Sequence, residues 1–331
     1  MTLDQFKEFV VFLHKKDYQI FNPQASKKQE GVFLIKKINP EKAILINQLP
    51  FYSWKKFFVP TKEKLFEFSC DCHDISCRIP ENKSALLGIN LIDLKAVVLY
   101  DQVFEKDPYY QRRRQNLLII GHNLLPQISE NLFEEKYEED ILEHLKFDIF
   151  LAQIDKNSFK VFSGSPLGQK ILNGFGTDYE HIEFSGPVQE AGPDSRMVKI
   201  RDQMKNNFQA EIWQELGRRC IECGRCSFVC PTCFCFSCQD TTRLDQTVKR
   251  QRVWDSCYFD DFSEIAGGHR FLDTTAKKIH FWYYHKFARI PYQFSLLGCV
   301  GCGRCSQVCP AGINLAQVLN DITSSIITNK D

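Results

Sequence analysis

The sequence carries almost no net charge. Its 331 residues hold 42 lysines and arginines against 41 aspartates and glutamates, a balance of +1. No global field draws such a chain to nucleic acid or to an acidic membrane. Long apolar runs are missing too, and nothing approaches the length that spans a bilayer. The opening MTLDQFKEFVVFLHKK carries Asp4 and Glu8 around an apolar run too short for a secretory signal. The expected place is therefore the cytoplasm. No phosphate loop or dinucleotide fingerprint occurs, and no nucleophile–base pair stands out, so nucleotide binding and covalent catalysis have no recognisable carrier. What remains is the composition of a folded protein, 44% hydrophobic and 25% charged, long enough for two domains.

Against those absences stand 15 cysteines, of which three lie at 70, 72 and 77 and the other twelve between 220 and 309. Disulfides are not expected in a cytosolic chain, so metal or redox chemistry is the default reading. The stretch CIECGRCSFVCP at 220–231 returns as CVGCGRCSQVCP at 299–310. This is the Cys-x2-Cys-x2-Cys-x3-Cys-Pro spacing that wraps a cubane iron–sulfur cluster, the fourth thiolate of each loop ligating the other cluster of a pair. Two copies therefore explain each other. Cys220, Cys223, Cys226 and Cys309 are expected to hold one [4Fe-4S] cluster, and Cys299, Cys302, Cys305 and Cys230 the other. Gly224 and Gly303 let the backbone approach the sulfides, so that N–H groups can reach them. Arg225 and Arg304 can offset the clusters' negative charge. A zinc ribbon uses two Cys pairs, whereas here four thiols fall in one twelve-residue window, twice. Full ligation leaves no open iron position, so electron transfer is the expected chemistry, with no catalytic residue in this chain.

The remaining candidates are weaker. Cys233, Cys235 and Cys238 in PTCFCFSC, and Cys257 in WDSC, are either ligands of a further site or thiols packed among aromatics beside the clusters. CDCHDISC offers Cys70, Cys72, His73 and Cys77, an awkward tetrahedral wrap for zinc or iron. Arg112 to Arg114 beside Tyr109 and Tyr110 could meet a phosphate or an acidic partner, but also read as a solvated helix face. AGGH at 266–269 reads as a tight turn, and His280 and His285 as packing on an aromatic helix.

Around these motifs the fold class is expected to be α+β. A mixed α/β domain over residues 1–190 begins with a helix at Asp4–Lys16. GVFLIKKI, KAILINQ, ALLGIN, NLLIIGH, FDIFLAQI and FKVFSG follow as strands in a partly parallel sheet. LIDLKAVVLYDQVF has helical spacing, and Asp107 with Pro108 marks a further helix start. The Gly- and Pro-rich stretch 185–196 is the expected linker. Residues 191–331 are expected to form a mainly helical two-cluster ferredoxin domain. One long helix over 197–219 delivers the chain to Cys220, another at 274–294 ends near Pro291, and a last one follows the second loop.

The segments CGRCSFVCPTCFCF, RVWDSC, AGGH, HKFARIPY and CVGCGRCSQVCPAGINLAQVLNDI resemble the beta subunits of cytosolic sulfhydrogenases, of the NiFe-hydrogenase/sulfur reductase type. They are also similar to the related A subunits of anaerobic sulfite reductases. FFVPTKEKLFEF, LLGINLIDLKAV and DPYYQRRRQNLLIIG extend the likeness more loosely toward the N-terminus. The resemblance implies a subunit that wires a flavin subunit handling NAD(P)H to a hydrogenase-type or sulfite-reductase-type subunit. It carries over the eight loop cysteines, and matches Cys233, Cys235 and Cys257 as well. Relatives commonly show a cysteine where this chain has Ile92, and further cysteines where it has HNLLPQ. The first domain then reads as a docking or degenerate redox domain. From a different class, the rival reading is an iron–sulfur redox sensor, which would need a labile cluster and an output module.

Overall fold

The computed structural model describes residues 1–69, 75–76, 82–126, 137–187, 195–206, 208–244 and 247–324. CDCHDISC therefore falls largely outside the described residues, with Cys70, Cys72, His73 and Cys77 among those left out. The strands are β1 (Gln19–Ala25), β2 (Phe33–Lys37), β3 (Lys62–Ser69), β4 (Ile75–Ser76), β5 (Ser84–Asn90), β6 (Leu117–His122), β7 (Ile149–Gln153), β8 (Phe159–Ser163), β9 (Glu180–His181), β10 (Phe236–Thr242) and β11 (Thr247–Trp254). The chain mixes helices and strands throughout, and its described residues divide into two compact units. The first draws on residues 1–54, 82–126 and 137–187; the second draws on 55–69, 75–76 and the described residues from 195 onward.

The first unit is built on a sheet of order β2-β1-β5-β6-β7-β8-β9. The central pairs β1–β5, β5–β6 and β6–β7 are parallel, and β2 and β8 add antiparallel. Every residue of β6 is buried, and all but the first of β5, which is why both read as continuous apolar runs in the sequence. Helix Leu3–Lys15 closes one face through Phe6, Phe9, Val10 and Leu13, its start fixed by the reciprocal Thr2–Gln5 cap. Asp107 caps helix Pro108–Gln115 by accepting from the Tyr109 and Tyr110 amides, as expected from the Asp–Pro pair. One expected strand is absent. In KAILINQ the Ile44 N–H donates to Asn22 Oδ1 and its carbonyl accepts from Asn22 Nδ2, so a buried side chain takes the hydrogen bonds a ladder would have used.

The second unit combines helices with a four-stranded sheet of order β10-β11-β3-β4. That sheet is the main departure from the mainly helical reading of the C-terminal half. β10 and β11 form an antiparallel hairpin, and β11 then pairs with β3, which comes from the N-terminal half of the chain. The expected long helix at 197–219 is two, Ser195–Asn206 and Glu211–Arg219. Asn206, a weak helix former, is the last residue of the first one. Helix Thr275–Tyr284 does not stop at Pro291. A π turn at His285–Arg289 resets the ladder, so that Pro291 falls in the first turn of Ile290–Phe294, where no donor is required of it. Helix Glu211–Arg219 crosses Thr275–Tyr284 at Gly217, where an added Cβ would sit 3.0 Å from the Ala276 nitrogen. Among the described residues, no helix is long and apolar enough to cross a membrane.

Candidate metal centre

The two thiol loops adopt the same local structure. Gly224 and Gly303 take left-handed backbone, at φ 68° and 67°, and each starts a short helix, Arg225–Val229 and Arg304–Gln307. In both, the glycine carbonyl accepts from the amides three and four residues on. Glu222 and Gly301 occupy matching positions, and both have positive φ. Glycine suits that backbone; a glutamate there carries a strain of about 1 kcal/mol or more. Their amides donate to the first sulfur of each loop, Glu222 to Cys220 Sγ and Gly301 to Cys299 Sγ, both at 3.4 Å. The last sulfurs are served likewise, Cys230 Sγ by the Thr232 amide and Cys309 Sγ by the Ile313 amide, again at 3.4 Å. Amide donors aimed at sulfur stabilise a thiolate more than a thiol.

The loops interleave. The charges felt most by Cys220 include those of Cys309 and Cys223, whereas Cys299 feels Cys230 and Cys302. Cys309 lines one cavity with Cys220, Cys223 and Cys226, and the hydroxyl of Thr232, two residues after Cys230, donates to the carbonyl of Gly298, which precedes Cys299. Cys226 and Cys305, the third of each, are electrostatic neighbours as well. A cavity lined by Cys220, Cys223, Cys226, Cys305 and Cys309 is walled by the apolar Tyr258, Ile279, Trp282, Tyr283 and Leu315. Tyr283, buried, feels thiols of both loops.

Burial governs the protonation of these thiols. It pushes Cys226 up to about 12, with Cys220, Cys223 and Cys230 adding to the rise. It pushes Cys299 up to about 12 as well, although Lys286 pulls the other way. Cys305 is raised by burial and by Cys302 and Cys299. Such sulfurs are held as thiolates when a cation replaces the proton, and iron is the cation that this spacing suits. Among the described residues, no three Cys, His, Asp or Glu converge on a point where one metal ion would sit. A cubane asks instead for four thiolates spread over four iron corners, and the donors, the amide hydrogen bonds and the apolar walls fit that group.

Beside Cys230 lies a second set of groups. Lys286, 2% exposed, donates to Cys230 Sγ at 3.2 Å, to Thr232 Oγ1 at 3.0 Å and to the Gly298 carbonyl at 3.0 Å. Lys55, 4% exposed, donates to the Ser227 carbonyl at 2.9 Å and stands 3.9 Å from the centre of the Trp254 ring. Cys230 and Cys233 shift each other, Cys230 downward and Cys233 upward. Burial raises Cys235 and Cys257, and each feels the surrounding thiols or lysines. Cys233, Cys235 and Cys257 therefore gather around the end of the first loop, while Cys238 is exposed on β10.

The weaker candidates find ordinary roles. Arg114 pairs with Asp101, which also accepts from the Tyr110 hydroxyl at 2.6 Å. AGGH is a tight turn, with Gly267 and Gly268 at φ 91° and 77° and the Ile265 amide donating to the His269 carbonyl. His280 meets the Met204 carbonyl and the edge of Trp213, and His285 packs on Phe234 and Phe281. Sequence reasoning missed the two buried lysines beside Cys230. Lys286 was visible as a charge inside an aromatic run, HFWYYHKFARIPY; Lys55 had no local signal, because it arrives from the N-terminal half.

Residues 219–313 match the family model of a 4Fe-4S dicluster domain. Over 294 residues, 82% of this chain and 83% of the other, the sequence is 29% identical to the curated protein Sulfhydrogenase 2 subunit beta of Pyrococcus furiosus. No solved structure gives a match. The resemblance seen in the loops thus extends along most of the chain.

Proposed function

We propose that this chain is an electron-transfer subunit of a multi-subunit oxidoreductase of the hydrogenase/sulfur reductase type, holding two [4Fe-4S] clusters. The observation that carries the reading is that the two loops meet: Cys220, Cys223 and Cys226 of the first line one cavity with Cys305 and Cys309 of the second, and Thr232, two residues after Cys230, donates to the Gly298 carbonyl just before Cys299. Cys220, Cys223, Cys226 and Cys309 would hold one cluster, and Cys299, Cys302, Cys305 and Cys230 the other. Such clusters, when bound, supply one-electron transfer without bond-making. The protein's own part is to present eight thiolates, aim four amides at their sulfurs and keep water from the apolar walls. Two clusters sharing ligand loops lie close together, which suits a relay between a flavin/NAD(P)H subunit and a hydrogenase-type subunit. The similarity to a sulfhydrogenase beta subunit supports this choice of complex.

The test is iron and acid-labile sulfide per chain after anaerobic purification, with EPR of the dithionite-reduced sample. About eight of each and a spin-coupled spectrum are expected. Cys305→Ala should lose about four irons and interrupt electron flow through the assembled complex. Zinc without sulfide would overturn the reading.

A further inference from the structure

The two loops match in backbone but not in the charge that surrounds them. At the end of the first, Cys230 is followed two residues on by Thr232; at the end of the second, Cys309 is followed by Ala311. The Thr232 hydroxyl donates to the Gly298 carbonyl at 2.6 Å and accepts from Lys286 Nζ. Lys286 Nζ therefore has three acceptors within 3.2 Å: Cys230 Sγ, Thr232 Oγ1 and the Gly298 carbonyl. With Cys230 an iron-bound thiolate all three partners can only accept, and three acceptors use three N–H bonds, so the group is then an ammonium; a neutral amine has only two to give.

The position of this cation is fixed from both ends. The Gly298 amide donates to the Lys286 carbonyl at 2.9 Å while the Gly298 carbonyl accepts from the Lys286 side chain. A Cβ on Gly298 would stand 2.8 Å from Lys286 Cα, so glycine is what allows this approach. Gly298 directly precedes Cys299, and the clamp ties the ammonium to both Cys230 and the start of the second loop. Trp282 covers the ammonium at 4.9 Å from its ring centre. Lys55 brings a second buried lysine to the same side, donating to the Ser227 carbonyl of helix Arg225–Val229.

The first loop meets its nearby lysine differently. Lys278 Nζ reaches Glu222 at 2.5 Å and Asp260 at 2.6 Å, so its charge is met by two carboxylates. Cys309 accepts from a backbone amide, that of Ile313. The buried lysines without a carboxylate partner in these contacts, Lys286 and Lys55, thus stand at Cys230, in the set Cys299, Cys302, Cys305 and Cys230.

We propose that Lys286 is a tuning residue: its ammonium on the Cys230 sulfur raises the reduction potential of the cluster held by Cys299, Cys302, Cys305 and Cys230 above that of the other. Reduction adds a negative charge, and a buried cation hydrogen-bonded to a ligand sulfur favours the reduced form. The first electron to enter then rests on this cluster, and the relay slopes toward it. This inference rests on the two-cluster reading above.

The experiment is an EPR-monitored redox titration of the full chain, with iron and sulfide counted in the same samples, for wild type, Lys286→Met, Lys286→Gln and Lys286→Arg. The expected result is two separated potentials in wild type. Lys286→Met and Lys286→Gln should keep the full iron content and lower one potential, leaving the other in place, and Lys286→Arg should restore it. The moved signal should be the one altered by Cys302→Ser. A full iron content with neither potential moved overturns the tuning role and leaves the two-cluster reading standing. Loss of about half the iron in both Lys286→Met and Lys286→Gln also overturns it, since the lysine would then serve assembly instead. A wild-type chain that binds no iron would fail the two-cluster reading itself.

Discussion

At His122 one imidazole is wholly enclosed at the end of β6. Its Nδ1 accepts from the Leu124 amide at 3.1 Å, and the ring also hydrogen-bonds the backbone of Gly88, at the bulge in β5. Burial lowers its pKa to about 4, against which the Gly88 contact pulls only weakly. The unfolded chain takes up this proton near pH 6.5, whereas the folded chain resists until about pH 4. The stability is therefore complete above the unfolded value and is lost as pH falls through this window. Between pH 7 and pH 5 the wild type should lose about 2 kcal/mol more than His122→Asn in urea unfolding. Equal losses in the two proteins would show that the ring titrates in the fold as it does in the unfolded chain.

Where β3 meets β11, two strands far apart in sequence share a buried ion pair. Arg252 and Glu63, with side chains 6% and 9% exposed, stand opposite each other in register, and the guanidinium reaches one carboxylate oxygen with two nitrogens, at 2.5 and 3.1 Å. Removing one member leaves a desolvated carboxylate without this partner, so Arg252→Met should cost about 3 kcal/mol or more. Replacing both, as Arg252→Met with Glu63→Leu, should recover most of that loss, because two apolar side chains of similar size need no compensation. A double variant as unstable as the single one would mean that the strands depend on the charges themselves. This element also carries Trp254, whose indole N–H donates to the Val59 carbonyl and whose ring faces Lys55. The sheet is thus what brings a lysine of the N-terminal half to the end of the first thiol loop.

For the molecule as a whole, the consequence is that no single cut separates the two units. A chain beginning at residue 191 keeps all eight loop cysteines but loses β3, Glu63 and Lys55. It would expose the edge of β11 and leave Arg252 without its carboxylate, and an open edge of this kind promotes association. Such a fragment is expected to give less soluble protein and less iron per chain than the full sequence. Size-exclusion chromatography with metal analysis checks it, and a monomeric fragment with the full iron content would show β3 to be dispensable.

The thiol loops were legible because the four cysteines of each lie within twelve residues, so their spacing is itself a local signal. The capped helices and the buried strands β5 and β6 were legible for the same reason, since caps and apolar runs are local signals. KAILINQ was misread because Asn22, from a different segment, claimed the hydrogen bonds of Ile44. The hairpin β10–β11 was missed because β10 is largely exposed, both strands are rich in polar residues, and the partner β3 lies far back in the chain. The sequence by itself determined the chemistry: eight thiols, their order, and the glycines that turn each loop. Only the tertiary structure decided the surroundings of those thiols, placing Lys286 on Cys230 and sending Lys55 in from β3's side of the chain. Ligand spacing is a property of neighbours along a chain, whereas the field around a sulfur is set by whichever residues pack against it.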